Sequence, residues 1–155
     1  MMGVKQDSAN RRVFLRINGL DKATKAGIRA GFFDFAKDLQ IDTNREILRR
    51  PKKGQVYILR TKAGRRRRHV ASASGETHAN LSGVLRRSLS WKVTGTSKLE
   101  WGYGVLNVPA PDYAKYVEDG TRRMAPRPSL ALGVKRNLRN AEVHFKNGIL
   151  RRING

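Results

Sequence analysis

The side chains that could do chemistry are few and widely separated. His69, His78 and His144 stand far apart, and with no cysteine in the chain they lack the partners and the close pairing of a zinc site. Glu118 and Asp119 are adjacent, but neighbours on a helix point about 100° apart and so do not form a general acid/base pair. Gly102 and Gly104 frame a short Gly-Tyr-Gly segment without the strand-to-helix setting or the lysine of a phosphate loop. Ser82, Ser88 and Ser90 have no base at a recognisable spacing. These absences predict a protein that is not an enzyme and uses no metal or cofactor.

The strongest local signal is a charge run. Between Glu46 and Glu76 the chain has no acid, while Arg49, Arg50, Lys52, Lys53, Arg60, Lys62, Arg65, Arg66, Arg67 and Arg68 are all basic. The whole chain carries 33 Lys and Arg against 12 Asp and Glu, a formal charge of +21, which favours an acidic partner and opposes self-association. The plainest reading of the run is a solvated charged segment. The functional reading is contact with phosphate or with an acidic protein through Lys52, Lys53, Arg60, Lys62 and Arg65 to Arg68. Phosphate binding of this kind falls steeply with salt and has little sequence preference.

The elements that must position these residues can be read from periodicity. With 155 residues, 39% of them hydrophobic, the chain supports one modest core. We expect a single domain over 1–155, with a flexible tail over 1–12, a basic extended loop over 51–80 and a C-terminal tail over 148–155. Val13, Leu15 and Ile17 alternate with Phe14 and Arg16, as in a strand or an extended approach to a helix. From Asp21, a plausible cap, Ile28, Phe32, Phe35, Leu39, Thr43 and Ile47 fall on one face of a long helix that Pro51 ends. Gly27 and Gly31 lie one turn apart within it. They are either simply tolerated near the helix start or mark close approach by another backbone.

Val56 to Leu59 suggests a short strand, whereas Ala63 to Asn80 reads as a flexible excursion rich in Gly, Ser and charge. Leu85, Leu89, Trp91 and Val93, then Leu99, Trp101, Tyr103 and Val105, predict a β-hairpin whose aromatic rings share one face. Asp112 can cap a short helix with Tyr113, Tyr116 and Val117 on one face, closed by Gly120 in a left-handed position. Beyond Pro126 and Pro128, the residues Leu130, Val134, Leu138, Ala141 and Phe145 predict a second long helix to about Asn147. The fold class is therefore α+β, with two long amphipathic helices packed on a small antiparallel β-sheet and a long basic loop. No apolar stretch approaches the ~20 residues that cross a bilayer, and no signal-peptide pattern opens the chain, so a soluble protein is expected.

The segment Tyr113-Ala-Lys-Tyr-Val-Glu-Asp-Gly-Thr121, followed by Arg127-Pro-Ser-Leu130, resembles the hallmark of the tail-completion, or head–tail joining, proteins of long-tailed bacteriophages. That hallmark is a Tyr-Ala helix, a Glu-x-Gly-Thr corner and an Arg-Pro turn into the last helix. His69-Val-Ala-Ser-Ala-Ser-Gly-Glu76 and Leu81-Ser-Gly-Val-Leu-Arg-Arg-Ser-Leu89 are similar to the family's basic loop and its entry to the first hairpin strand, extending the resemblance over about residues 20 to 147. Two positions depart from the pattern: Leu81-Ser82-Gly83 replaces Asp-Thr-Gly, and Ser129 replaces an aromatic.

The resemblance implies a structural virion protein assembled in the host cytoplasm. It implies a homo-oligomeric ring in the neck, six-fold by family expectation, between a head connector and a tail-tube or tail-terminator protein. Genome DNA would pass through the ring with at most transient contact. It also implies a subunit-interface corner at Tyr113, Tyr116, Glu118, Gly120, Thr121, Arg122 and Arg127, whose mixed charges suit a heterologous contact. A sequence-nonspecific nucleic-acid-binding protein is the alternative that the charge alone would favour.

Overall fold

Two helices dominate the computed structural model, which describes residues 3–7, 12–16, 22–96 and 98–153. Helix α1 spans Lys22–Leu48 and helix α4 spans Ser129–Ile153; they pack along each other more extensively than any other two elements. A four-stranded antiparallel sheet has the order β1-β2-β6-β5, formed by β1 (Gly3–Asp7), β2 (Arg12–Arg16), β5 (Leu89–Thr94) and β6 (Lys98–Tyr103). A separate hairpin joins β3 (Val56–Arg60) to β4 (Arg66–Val70), and short helices α2 (Val84–Arg87) and α3 (Ala114–Asp119) complete the fold. This is the expected α+β arrangement of long helices with small antiparallel sheets.

The helix pair explains its own glycines. A methyl group at Gly27 would stand 2.5 Å from Ile149 Cα, and one at Gly31 would stand 2.8 Å from Phe145 Cα. Gly148 in turn lies against the backbone of Gly27 and Gly31. Close backbone approach, rather than mere tolerance, accounts for Gly27 and Gly31. The intrinsic penalty of about 1 kcal/mol per helical glycine is offset by contact that no larger residue allows. Phe32 meets Phe145 edge to face at 4.8 Å beside this crossing.

A ladder of acids follows the same seam. Asp34, Asp38, Asp42 and Glu46 recur every fourth residue on α1, and α4 answers them in reverse order. Arg151 pairs with Asp34, and His144 Nε2 lies 3.0 Å from Asp38. Asn137 Nδ2 donates to Asp42 over 3.2 Å, and Arg136 meets Glu46 at 3.4 Å.

The core lies where this pair meets the sheet. Ile28, Phe32, Phe35, Leu39, Thr43 and Ile47 are all buried, as their spacing predicts. On the sheet, Trp91 pairs with Trp101, Val93 with Leu99 and Leu89 with Tyr103, so the aromatic rings share the face turned to the helices.

Several boundaries differ from expectation for local physical reasons. Residues 3–7 form a strand instead of a flexible tail, because β2 pairs with β6 and offers its other edge to β1. Leu85 belongs to the helical turn α2 and not to the following strand, and Arg87, which breaks the alternation, is part of that turn. Helix α4 runs through 148–153 where a tail was expected, since Gly148 serves the helix crossing and does not end the helix. On α4 it is Asn137, not the half-exposed Leu138, that turns inward, donating to Gly133 O and Asp42. Asp21, the expected cap of α1, lies outside the described residues.

Candidate interaction site: a basic arm and an acid-capped corner

The basic segment is a rooted hairpin, which corrects the expected extended loop. Strands β3 and β4 pair in the register Val56↔Val70, Tyr57↔His69, Ile58↔Arg68, Leu59↔Arg67 and Arg60↔Arg66. The turn closes with Thr61 N–H donating to Arg65 O (2.9 Å) and Gly64 N–H to Thr61 O (2.9 Å). This run lacks apolar alternation, so the sequence alone gives no sign of β4; pairing with the apolar β3 supplies it.

The pleat sorts the charge run. Opposed residues share a face, so Arg60, Arg66 and Arg68 stand together with Val56, Ile58 and Val70, while Arg67 stands with Tyr57, Leu59 and His69. Lys62 and Arg65 occupy the turn region and are exposed, as is Lys53 at the root. Val56, Tyr57 and Ile58 are 44%, 45% and 61% exposed, so the arm bares apolar surface on both faces. A two-stranded hairpin in water is marginal at best by itself, which makes its root important.

Lys52, half-buried, holds that root. Its ammonium donates to Glu46 O (2.9 Å), Thr77 Oγ1 (2.9 Å) and Thr77 O (3.2 Å), and Thr77 Oγ1 also donates to Glu46 O. The charge thereby meets a carbonyl in the last turn of α1, where a helix favours cations. Burial lowers the Lys52 pKa, partly opposed by Glu76 and Glu46. The Glu76 carboxylate accepts from Ala73 N–H (2.8 Å) and Lys53 N–H (3.2 Å), which hold its pKa below the usual range. Gly54 N–H to Ala71 O and Ala71 N–H to Gln55 O extend the pairing beyond the strands.

A cleft of about 450 Å³ opens beside the root. Ile47, Leu48, Pro51, Val70 and Ala79 give it an apolar floor, and Arg49, Arg50, Arg68 and His69 surround it. Burial, followed by the charges of Arg50 and Arg67, lowers the His69 pKa.

The corner is built differently. Helix α4 has no acid in its own first turn, and the buried Glu118 carboxylate supplies one from α3. Its Oε2 accepts from Ser129 N–H (3.0 Å), and its Oε1 accepts from Leu130 N–H (2.7 Å) and Ala131 N–H (3.4 Å). Burial pushes Glu118 up to about 7 against the pull of these donors. Ser129 Oγ lies 2.8 Å from His78 Nδ1, with the Tyr103 hydroxyl at 3.4 Å from the same nitrogen. Burial, then the charge of Lys52, lowers His78 to about 4, while burial followed by Glu118 raises Tyr103 well above its ordinary value. Ser129 is fully buried, while His78 also lines a neighbouring cavity of about 520 Å³.

Glu118 therefore faces inward and joins no outer contact, which removes it from the expected interface corner. Arg127 is also structural, donating its N–H to Val117 O (2.9 Å) and its Nε to Ser72 O (3.2 Å). Tyr113, Tyr116, Thr121 and Arg122 remain on the surface. Ala114 and Glu118, not the tyrosines, form the buried face of α3, and Tyr113 rather than Asp112 occupies its cap position. Gly120 has φ 78° and ψ −177°, a glycine-only conformation but not the left-handed helical one. The chemistry missed by sequence reasoning is the Tyr103–His78–Ser129 cluster; the one legible hint was a helix start without an acid of its own.

Among the described residues, no group of three or more His, Asp or Glu side chains could hold a metal, and no helix is long and apolar enough to cross a membrane. No family model, curated protein or solved structure matches the chain.

Proposed function

We propose that this chain is a structural virion protein of a tailed bacteriophage, forming a ring in the neck that completes the tail end and joins it to the head connector, with genome DNA passing through. One observation carries the reading: a cationic hairpin fixed at its root yet bare on both faces, projecting from a body that has its own core. Such an arm suits a subunit that completes its packing only in an assembly. The neck and the ring come from the corner motif's resemblance to tail-completion proteins. The Glu118 cap is compatible with it, because the motif's Glu, its Gly-Thr corner and its Arg-Pro turn form one built unit here.

Electron microscopy of particles made without this protein tests the proposal. Heads and tails should accumulate separately; normal particles with joined, full-length tails would overturn it. The placement of Arg60, Arg66 and Arg68 on one face favours a second reading, sequence-nonspecific binding of nucleic acid. Replacing Arg65 to Arg68 separates the two. Loss of salt-sensitive duplex binding with intact joining favours the second reading, and failed joining with retained duplex binding favours the first.

A further inference from the structure

We propose that the cleft at the arm's root and the Ile58 face of the hairpin form one docking surface for an extended acidic segment of a different protein, with apolar side chains interleaved among its carboxylates. This rests on the assembly reading above and names the partner chemistry of the arm. The cleft and the hairpin face are continuous through Arg68 and Val70. Both residues line the cleft, and both share the strand face of Val56, Ile58, Arg60 and Arg66.

The composition of that surface separates an acidic protein from nucleic acid. Ile58, the most exposed large apolar residue of the arm at 61%, sits directly opposite Arg68, with Arg60 and Arg66 on the same face one step outward. Against a phosphate backbone, Ile58 and Val56 would lie beside charged oxygens and gain nothing from leaving water. Against a peptide, the same alternation is complementary: arginine forks take carboxylates, and aliphatic side chains fill the spaces between them. The apolar floor of the cleft extends this pattern past the strands, with Arg49 and Arg50 continuing the cationic wall.

The distribution of acids separates a foreign partner from a second copy. Asp34, Asp38, Asp42 and Glu46 answer α4, Glu76 holds the arm's root, Glu118 caps α4, and Glu100 pairs with Lys98. At least seven of the twelve acids are thus engaged within the subunit, and the chain has no run of acids longer than the adjacent Glu118 and Asp119. No acidic stretch is left to lie along the arm, so the complementary charge belongs to another chain.

The test uses the full chain and three labelled probes at moderate salt: a synthetic peptide alternating Glu with Val, one of equal length and charge alternating Glu with Ser, and a short DNA duplex. Fluorescence anisotropy should show the Glu–Val peptide bound at least about tenfold more tightly than either of the others. Ile58→Ser should abolish the preference for Glu–Val over Glu–Ser. Arg66→Ser with Arg68→Ser should weaken both peptides, whereas the charge-matched pair Arg139→Ser with Lys146→Ser on α4 should not. Circular dichroism on each variant confirms an intact fold, since all these side chains are exposed. Equal binding of the two peptides, or tighter binding of the duplex, would overturn the proposal. The particle experiment is independent: peptide preference with normal particles would sink the neck assignment and leave the docking surface standing.

Discussion

The β5–β6 and β3–β4 hairpins differ in what covers them. The β5–β6 pair lays Trp101, Tyr103, Leu89 and Leu99 against the helices, all nearly inaccessible, with Trp91 partly buried beside them. The β3–β4 pair has a ladder one residue pair shorter, yet Val56, Tyr57 and Ile58 face water. The first is held by burial, the second by its root. Fold stability and arm function therefore reside in separate residues, and substitutions should separate them.

The largest expected effect tests the covered hairpin. Trp101→Ala removes a buried indole from the centre of the sheet's inner face and should cost about 3–5 kcal/mol in chemical denaturation. An effect no larger than that of an arm substitution would end the contrast.

Next comes the buried cluster behind the corner, through its pH dependence. Glu118 sits higher folded than unfolded, so its contribution is fully present below pH 4.5 and lost as pH rises toward about 7. His78 sits lower folded than unfolded, so its contribution is present above pH 6.5 and lost as pH falls toward about 4. Between pH 4.5 and 6.5 the two slopes oppose each other, and the protein's stability should vary little on their account. Glu118→Gln should expose the histidine slope, with stability rising by on the order of 3 kcal/mol across the His78 window. His78→Asn should expose the opposite slope. Parallel pH profiles for both variants and the parent would refute this coupling.

Smaller effects follow at the helix crossing and the arm. Gly148→Ala inserts a methyl group against the backbone of Gly27 and Gly31 and should cost about 1–3 kcal/mol as a drop in melting temperature. Lys52→Met leaves Glu46 O and Thr77 O without their cation and should cost about 1 kcal/mol, with faster amide exchange concentrated in 53–70. Ile58→Ala should stay within about 0.5 kcal/mol of the parent, because most of the residue stays in water in the free subunit. A large loss there would mean that the arm packs on its own body.

Both long helices and the covered hairpin were legible because burial writes a period into the sequence. Phe32, Phe35, Leu39 and Ile47 repeat at helical spacing, and Trp91 and Trp101 sit on alternating runs. The arm was half legible. Val56 to Leu59 has strand character, but an exposed strand needs no alternation, so Arg66 to Arg68 reads as a charge run until pairing is seen. The corner misled in a different way: Tyr113 and Tyr116 look like the inward face of α3, yet the helix turns Ala114 and Glu118 inward to serve α4. A long-range cap has no local period, so its acceptor reads like any surface acid.

The Lys52 tie gives the arm a mechanical character. Its ammonium bridges the last turn of α1 to Thr77 on the far side of the hairpin, and α1 is keyed into α4 through glycine contacts with no compliant side chain between the backbones. The tip at Lys62 to Arg65 is thereby coupled, through the Lys52 tie, to the last turn of a 27-residue helix. The arm and the helix crossing are therefore linked through one element, α1, which joins the Lys52 tie at its end to the glycine contacts near its start.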